Sequence, residues 1–421
     1  MEKLKQLIRD KNEALTILGV LHGTTAYTGP EVLHIDLTNK CNFNCIACWC
    51  RSPLLGDKAM PQWERRLTIP FAKVKELLDD VRELGGLRQV KLVGGGEPFL
   101  HPDILKIVEY IKKIDERIEV DINTNFSLVS KAKAKKLIDL GLDMFTVSLW
   151  AGSPEAYTAV HPNQTAKTFH GIYEVLKYIR DEKKRRGKEK PRIVLHDVVF
   201  KPNGGDVMNM LSLGLDVGAQ AIQFVPMDPM KGKTESLLLS EEEKAGLLPM
   251  LHEIRKQYEP RTFQYRADDG RTIVLSDFDA FIRRMEQQDT ASGTYDINVV
   301  DILPCYVGWL FARVMATGNV VPCCKGHRMH MGNIFDNRFK DIWLSETYER
   351  FRDNGLRMSK YDPYFSKMGN DASAKTGCYN CDNLWQNIPM QRKIETIQKE
   401  QIELTAGCGE LARLFFDKEK R

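Results

Sequence analysis

Two hydrophobic rhythms alternate along the first half of the chain. Short apolar runs rich in β-branched residues read as strands: VLHIDLTN (32–39), VKLVGG (90–95), IEVDINTN (118–125), MFTVSLW (144–150), RIVLHDVVF (192–200) and AIQFVP (221–226). Between them lie runs with apolar residues three and four apart, which read as helices: PFAKVKELLDDVREL (70–84), HPDILKIVEYIKKI (101–114), KAKAKKLIDLG (131–141), GIYEVLKYIRDEKKRRG (171–187) and DVMNMLSLGLDVG (206–218). Pro70 suits a first helical turn, and Gly141 and Gly187 suit helix ends. Such alternation predicts parallel strands joined by right-handed crossovers. Six units fall short of a closed eight-unit barrel. The expected fold is therefore α/β, a partial (β/α)6 TIM-type barrel with one open side.

Beyond about residue 235 the rhythm changes. SEEEKAGLLPMLHEIRKQYE (240–259) predicts a helix beginning at Ser240, with acidic residues in its first turn. LFARVMATGNVVPCC (310–324) predicts a hairpin turning at Thr317-Gly318-Asn319, and FKDIWLSETYERFRDN (339–354) predicts one more helix. This part reads as a small cysteine-rich α+β domain.

Charge adds little to this picture. The 61 basic residues nearly balance the 57 acidic ones, which argues against a nucleic-acid or membrane-surface partner. The basic run KKRRGKEKPR (183–192) falls at a predicted helix C-terminus, where cations are favoured, and reads as a solvated end. No run of eighteen apolar residues occurs, and the N-terminal stretch lacks a signal-peptide pattern. A cytoplasmic location with reduced thiols is expected, so the cysteines read as metal ligands before disulfides.

The cysteines change the picture most. Four of the ten stand in NKCNFNCIACWC, at Cys41, Cys45, Cys48 and Cys50, just past the first predicted strand. That is the barrel face where α/β barrels place active sites. Three closely spaced thiolates suit three irons of a four-iron cluster and leave the fourth iron open, whereas zinc usually takes a second pair. GGGEP (94–98) follows the second strand at the same face, where glycines permit close backbone approach. In the C-terminal part, Cys305, Cys323, Cys378 and Cys381 provide four more thiolates. Spacing alone leaves a zinc ribbon and a four-iron cluster open for them.

Together the first two motifs resemble the radical S-adenosylmethionine (SAM) superfamily, over roughly residues 30–230. Cys41, Cys45 and Cys48 match its C-x3-C-x2-C. Gly95, Gly96, Glu97 and Pro98 match the motif that binds the SAM methionyl amine. Asn123, Asn125 and Ser148 stand where the family contacts SAM ribose and carboxylate, and QFVP, with Phe224, resembles the segment near the adenine. The family usually carries an aromatic residue just before the third cysteine; this chain has Ala47, with Trp49 following. Cys50 stands outside the motif. Residues 304–343 resemble the SPASM and twitch extensions, which hold auxiliary iron–sulfur clusters. The matching features are Gly318 to Cys324, Gly332 to Ile334, and Ile342-Trp343. The low cysteine count resembles the one-cluster twitch form, with Cys305, Cys323, Cys378 and Cys381 as ligands and Cys324 as rival to Cys323. Cys408 reads as incidental, and His327 and His330 as polar or supporting groups.

The resemblance implies two 4Fe-4S clusters, SAM, and an external one-electron donor of the flavodoxin or ferredoxin type. It implies reductive cleavage of SAM and hydrogen abstraction from a small polar molecule, such as a sugar or aminocyclitol, or from a peptide, with net oxidation. His196 or Asp197 on the fifth strand is the candidate catalytic group, and alternation turns only one of them inward. A redox-neutral dehydratase or epimerase, an RNA-modifying radical enzyme and a non-catalytic iron–sulfur carrier are the alternatives. The expected domains are an N-terminal helical extension (1–30), the radical SAM barrel (31–235), a linking helical segment (236–300), the auxiliary-cluster domain (301–390) and a helical tail (391–421).

Overall fold

Strand pairing turns the predicted alternation into a parallel sheet. The computed structural model describes residues 8–287, 300, 302–359, 362–369, 378 and 381–399. In chain order the first elements are α1 (Lys11–His22), β1 (Val32–Asp36), α2 (Phe71–Leu84), β2 (Gln89–Val93), α3 (Ile104–Ile114), β3 (Glu119–Thr124) and α4 (Lys131–Asp139). There follow β4 (Met144–Val147), α5 (Pro154–Val160), α6 (Ala166–Arg186), β5 (Arg192–Val199), α7 (Val207–Asp216) and β6 (Ala221–Pro226). This is the partial (β/α)6 arrangement of the sequence. Helix α5 is an addition, started by Ser153, whose hydroxyl accepts from Ala156 N.

The C-terminal half continues with α8 (Glu241–Lys256), β7 (Tyr258–Glu259), β8 (Gln264–Arg266), β9 (Thr272–Ser276) and α9 (Phe278–Gln287). Then come α10 (Val307–Leu310), β10 (Phe311–Val314), β11 (Asn319–Val321), β12 (Gly332–Asn333), α11 (Phe339–Trp343), α12 (Glu346–Leu356) and α13 (Leu384–Lys399). Ser240 caps α8 through a reciprocal box with Glu243, as its position predicts. The hairpin forms between β10 and β11, and Gly318 supplies the positive φ of +85° that its turn requires. The single helix expected over 339–354 is instead two. Ser345 is extended, and its hydroxyl accepts from Tyr348 N, so a new helix begins there. Cys408, the tail from 400 onward and residues 288–299 of the linking segment lie outside the described residues.

The chain folds as two compact units. One comprises residues 36–68 and 91–296; the other comprises 1–35, 69–90 and 297–421. In the first, β3, β4, β5, β6 and β9 pair in parallel, and β9, β8 and β7 close the edge antiparallel. In the second, β1 pairs parallel with β10, which continues antiparallel to β11 and β12.

Register decides which side chains share a face. Asn123 lies beside Thr146, Thr146 beside Val194, and His196 beside Gln223. With a period of two, Asp121, Asn123, Thr146, His196 and Gln223 occupy one face, the barrel lumen. Asp197 and Phe224 are neighbours on the other face. There Phe224 packs on Phe278 and Phe281 of α9, with centroids 6.3 and 5.9 Å away.

Candidate active site

The cysteine loop runs from the end of β1 and is held from three directions. From below, Gly94 and Gly96 lie against residues 38–40. A Cβ on Gly94 would stand 2.8 Å from Thr38 O, and one on Gly96 2.1 Å from Lys40 O. Gly94 and Gly96 are therefore glycine because two backbones touch there. Glu97 fastens the same contact. Its N–H donates to Lys40 O (2.7 Å), while its enclosed carboxylate accepts from Phe99 N (3.0 Å), Thr124 Oγ1 (2.7 Å) and Asn125 N (2.8 Å). Burial nevertheless pushes this carboxyl up to about 6. Pro98 opens the short 3-10 turn that follows.

From the side, Asn125 Nδ2 donates to Asn42 Oδ1 (3.0 Å), and Asn163 Nδ2 donates to Asn42 O (2.9 Å). Asn123 Oδ1 accepts from Ser148 Oγ at 3.0 Å. Arg51 ties the loop from within: Nε donates to Gly95 O (3.1 Å) and Nη2 to Asn39 O and to Arg65 O (3.3 Å).

The third hold is a buried histidine. His161 Nδ1 lies 3.1 Å from Cys45 Sγ, and Nε2 lies 3.1 Å from Leu149 O. Nε2 faces a carbonyl and so carries the proton, which leaves Nδ1 to accept from the Cys45 thiol. Burial lowers this imidazole to about 4, so it is neutral. Burial likewise pushes Cys41 up to about 11 and Cys45 further. Cys48 is held down, to about 7, by the hydrogen bond from Cys50, whose Sγ is 3.7 Å away.

In the lumen, Lys91 Nζ pairs with Asp121 Oδ2 (2.9 Å), and Thr146 Oγ1 donates to the same carboxylate (2.9 Å). This ion pair makes an electrically neutral floor. His196 stands on the same face, its Nδ1 enclosed and without a hydrogen-bond partner. Burial, then the charge of Lys91, lowers it to about 4. Asp197 turns the other way and accepts Trp150 N at 2.8 Å. Of the two candidates on β5, His196 alone faces the lumen. Phe224, under α9, stands apart from the other residues expected around SAM.

In the other unit, Cys305, Cys323, Cys378 and Cys381 line one cavity, together with Lys325, Asp382 and Asn387. Asn387 organises it. Its Oδ1 accepts Tyr306 N (2.8 Å), which turns the amide nitrogen toward Cys381 Sγ, 3.8 Å away. Cys324 does not line this cavity; its Sγ lies 4.0 Å from His34 Nδ1. Among the described residues, no group of three or more His, Cys, Asp or Glu side chains is set to hold a single metal ion. A cluster binds each thiolate through a separate iron, so its requirement is a set of thiols facing one volume, and these four meet it.

Residues 35–212 match the model of the radical SAM superfamily, and residues 305–382 match that of SPASM, an iron–sulfur cluster-binding domain. The chain carries a radical SAM domain followed by a SPASM domain. Among its relatives is the tungsten-containing aldehyde ferredoxin oxidoreductase cofactor-modifying protein of Pyrococcus furiosus, 24% identical over 76% of this chain and 83% of that protein. The AdoMet-dependent heme synthase of Methanosarcina barkeri is 25% identical over 77% and 85%. The fold is shared with Streptococcus suis SuiB bound to S-adenosylmethionine (TM-score 0.57, 14% identity, 81% of this chain and 72% of that one). It is shared too with native anSMEcpe with bound AdoMet and Cp18Cys peptide (TM-score 0.54, 15% identity, 91% and 98%). A radical SAM domain takes a 4Fe-4S cluster and SAM, and a SPASM domain takes further iron–sulfur. The thiol chemistry of both sites fits these groups. No helix among the described residues is long and apolar enough to cross a membrane.

Several residues of this radical SAM site carried no sequence signal. Arg51, His161 and Asn163 at the cysteine loop, and Asn387 at the second thiol set, act through hydrogen bonds to residues remote in sequence, and no local spacing announces them.

Proposed function

We propose that this radical SAM protein oxidises a hydroxyl-bearing group, on a small polar molecule or a peptide, with Cys41, Cys45 and Cys48 holding the first cluster and Cys305, Cys323, Cys378 and Cys381 a second. When bound, SAM and the first cluster supply a 5′-deoxyadenosyl radical that removes a hydrogen atom from carbon, and the second cluster supplies an acceptor for one electron. The chain's own part is to position the substrate and take up its proton. With Asn123 and Ser148 left to SAM, His196 and Gln223 offer neutral polar contacts on the face of the Lys91–Asp121 pair, which suits hydroxyl groups better than an anion.

The observation that carries this reading is His196: a neutral imidazole in the lumen with an unpartnered ring nitrogen. It is able to accept the hydroxyl proton as the carbonyl forms. The balance is closed: one hydrogen atom leaves carbon, one proton goes to His196, one electron leaves to the second cluster, and C–OH becomes C=O. A flavodoxin- or ferredoxin-type donor supplies the electron that starts the cycle. The relatives named for a cofactor-modifying protein and a heme synthase support a small-molecule substrate. The structure of SuiB bound to precursor peptide SuiA supports a peptide.

The test incubates the reduced, reconstituted protein with SAM and an extract of deuterium-grown cells. Deuterium in 5′-deoxyadenosine, with a product two hydrogens lighter than its precursor, is the expected result. A product of unchanged mass would establish a redox-neutral reaction instead.

A further inference from the structure

We propose that Trp150 is the adenine platform of the SAM site, giving the purine an indole face to lie on and an N–H to bond. This rests on the SAM site proposed above and concerns a residue which the motifs do not include.

The first ground is backbone geometry. Trp150 has φ +57°, a left-handed conformation that bulky residues rarely adopt. It is held there from both sides. Its N–H donates to Asp197 Oδ1 (2.8 Å), and its carbonyl accepts from Asn203 Nδ2 (2.8 Å). Asn203 also donates to Val198 O (2.8 Å) and accepts Phe200 N (2.8 Å), so the end of β5 is built around this one residue. Strain kept in place by two buried polar side chains is characteristic of residues aimed for use.

The second ground is where the ring lies. The indole stacks on His161, with centroids 5.8 Å apart and planes 28° apart, and meets Phe200 edge-on at 6.0 Å. It packs with Ile46 and Ala47, inside the cysteine loop, around Val160, Phe200, Met227 and Leu238. His161 in turn touches Cys45. The indole is thus fixed one residue's width from the thiols. Ala47, between Cys45 and Cys48, contributes only a methyl group to this surface, so the flat apolar area there belongs to Trp150.

The third ground is an unmet donor. Nε1 of Trp150 is enclosed and bonds nothing. Buried indole N–H groups ordinarily find an acceptor, so this one has a bond still to make. Adenine offers what is missing: a planar ring to stack and ring nitrogens that accept. Asp197 therefore acts on the cofactor through Trp150, as a positioning residue.

The experiment uses reconstituted holoprotein under anaerobic conditions. Equilibrium dialysis measures SAM, adenosine and methionine on wild type, Trp150→Leu, Trp150→Phe and Trp49→Phe, with the cluster spectrum as the check on assembly. Trp150→Leu should weaken SAM and adenosine by roughly tenfold, the scale of one lost base–aromatic stack, and leave methionine unchanged. Trp150→Phe keeps a face but loses the donor, so it should weaken adenosine by a few-fold. That loss should vanish for the deaza-adenosine lacking the accepting nitrogen. If Trp150→Leu fails to hold its cluster, Trp150→Phe with the deaza series decides alone. Wild-type affinity for SAM and adenosine in Trp150→Phe, with no deaza dependence, overturns the role of Trp150 while leaving the SAM site standing. Loss in Trp49→Phe alone does the same. A wild-type holoprotein that binds no SAM overturns both.

Discussion

Gly95 and Gly96 are adjacent, yet the structure assigns them different costs. A Cβ on Gly96 falls 2.1 Å from Lys40 O and 2.6 Å from Asn39 C, both backbone atoms. Gly96→Ala therefore drives the cysteine loop back by about 1 Å, the shift needed to restore ordinary contact. That movement breaks the 2.7 Å bond from Glu97 N to Lys40 O. Overpacking costs about 1–3 kcal/mol and the lost bond about 1 kcal/mol, so about 2–4 kcal/mol in all. A Cβ on Gly95 instead meets Asn39 Oδ1 at 2.7 Å and Met60 Cε at 2.8 Å, the ends of two side chains that can rotate away. Gly95→Ala should cost less than about 1.5 kcal/mol. Urea unfolding of both variants, followed by SAM binding after anaerobic reconstitution, measures the difference. Gly96→Ala should lose both stability and SAM affinity, and Gly95→Ala should keep most of each. Equal stability of the two variants, or the reverse order, would refute the idea that the triplet serves contact with residues 38–40.

Asp197→Asn should flatten the pH dependence of stability. Burial raises the folded carboxyl to about 7, so the folded state binds its proton more tightly than the unfolded chain, and stability falls by up to about 1.4 kcal/mol per pH unit between about 4 and 7. The amide still accepts Trp150 N, and urea midpoints at pH 5 and 8 should converge; an unchanged slope would place the ionisation elsewhere. His196→Asn should leave SAM cleavage intact and reduce oxidised product by about 10²–10⁴-fold, measured by counting product against 5′-deoxyadenosine. Because His196 is lowered to about 4, it stays neutral from pH 5 upward and should contribute no rate change between pH 5 and 8. A Cys378→Ala, Cys381→Ala double variant that remains soluble, with its first cluster intact, should cleave SAM without forming oxidised product. Full product from that variant would leave the second site a structural tie.

The sequence made the architecture legible because strand and helix periods differ and six units repeat. Its first cysteine set was legible because three thiols crowd one short loop; the second, spread from Cys305 to Cys381, was gathered only through the family resemblance. The face of β5 was not: His196 and Asp197 alternate, and only pairing with β4 and β6 shows which side is the lumen. The break at Ser345 was masked by apolar residues that keep helical spacing across it, although the serine itself is a cap. The sequence places Glu97 only within a motif matched to the SAM amine, whereas in the fold its oxygens are taken by Phe99, Thr124 and Asn125. Trp150 followed an ordinary strand, and neither its positive φ nor its distant partners Asp197 and Asn203 leave a local pattern.

The central claim is that two separate thiol sets hold two clusters and that only the first cleaves SAM. Iron content and 5′-deoxyadenosine formation, measured together after anaerobic reconstitution and dithionite reduction, test it directly. Wild type should bind roughly eight irons per chain, four for each cluster, and form 5′-deoxyadenosine. The Cys41→Ala, Cys45→Ala, Cys48→Ala triple variant should keep roughly four irons and form none. Zinc at the second site, or 5′-deoxyadenosine from the triple variant, would contradict the account.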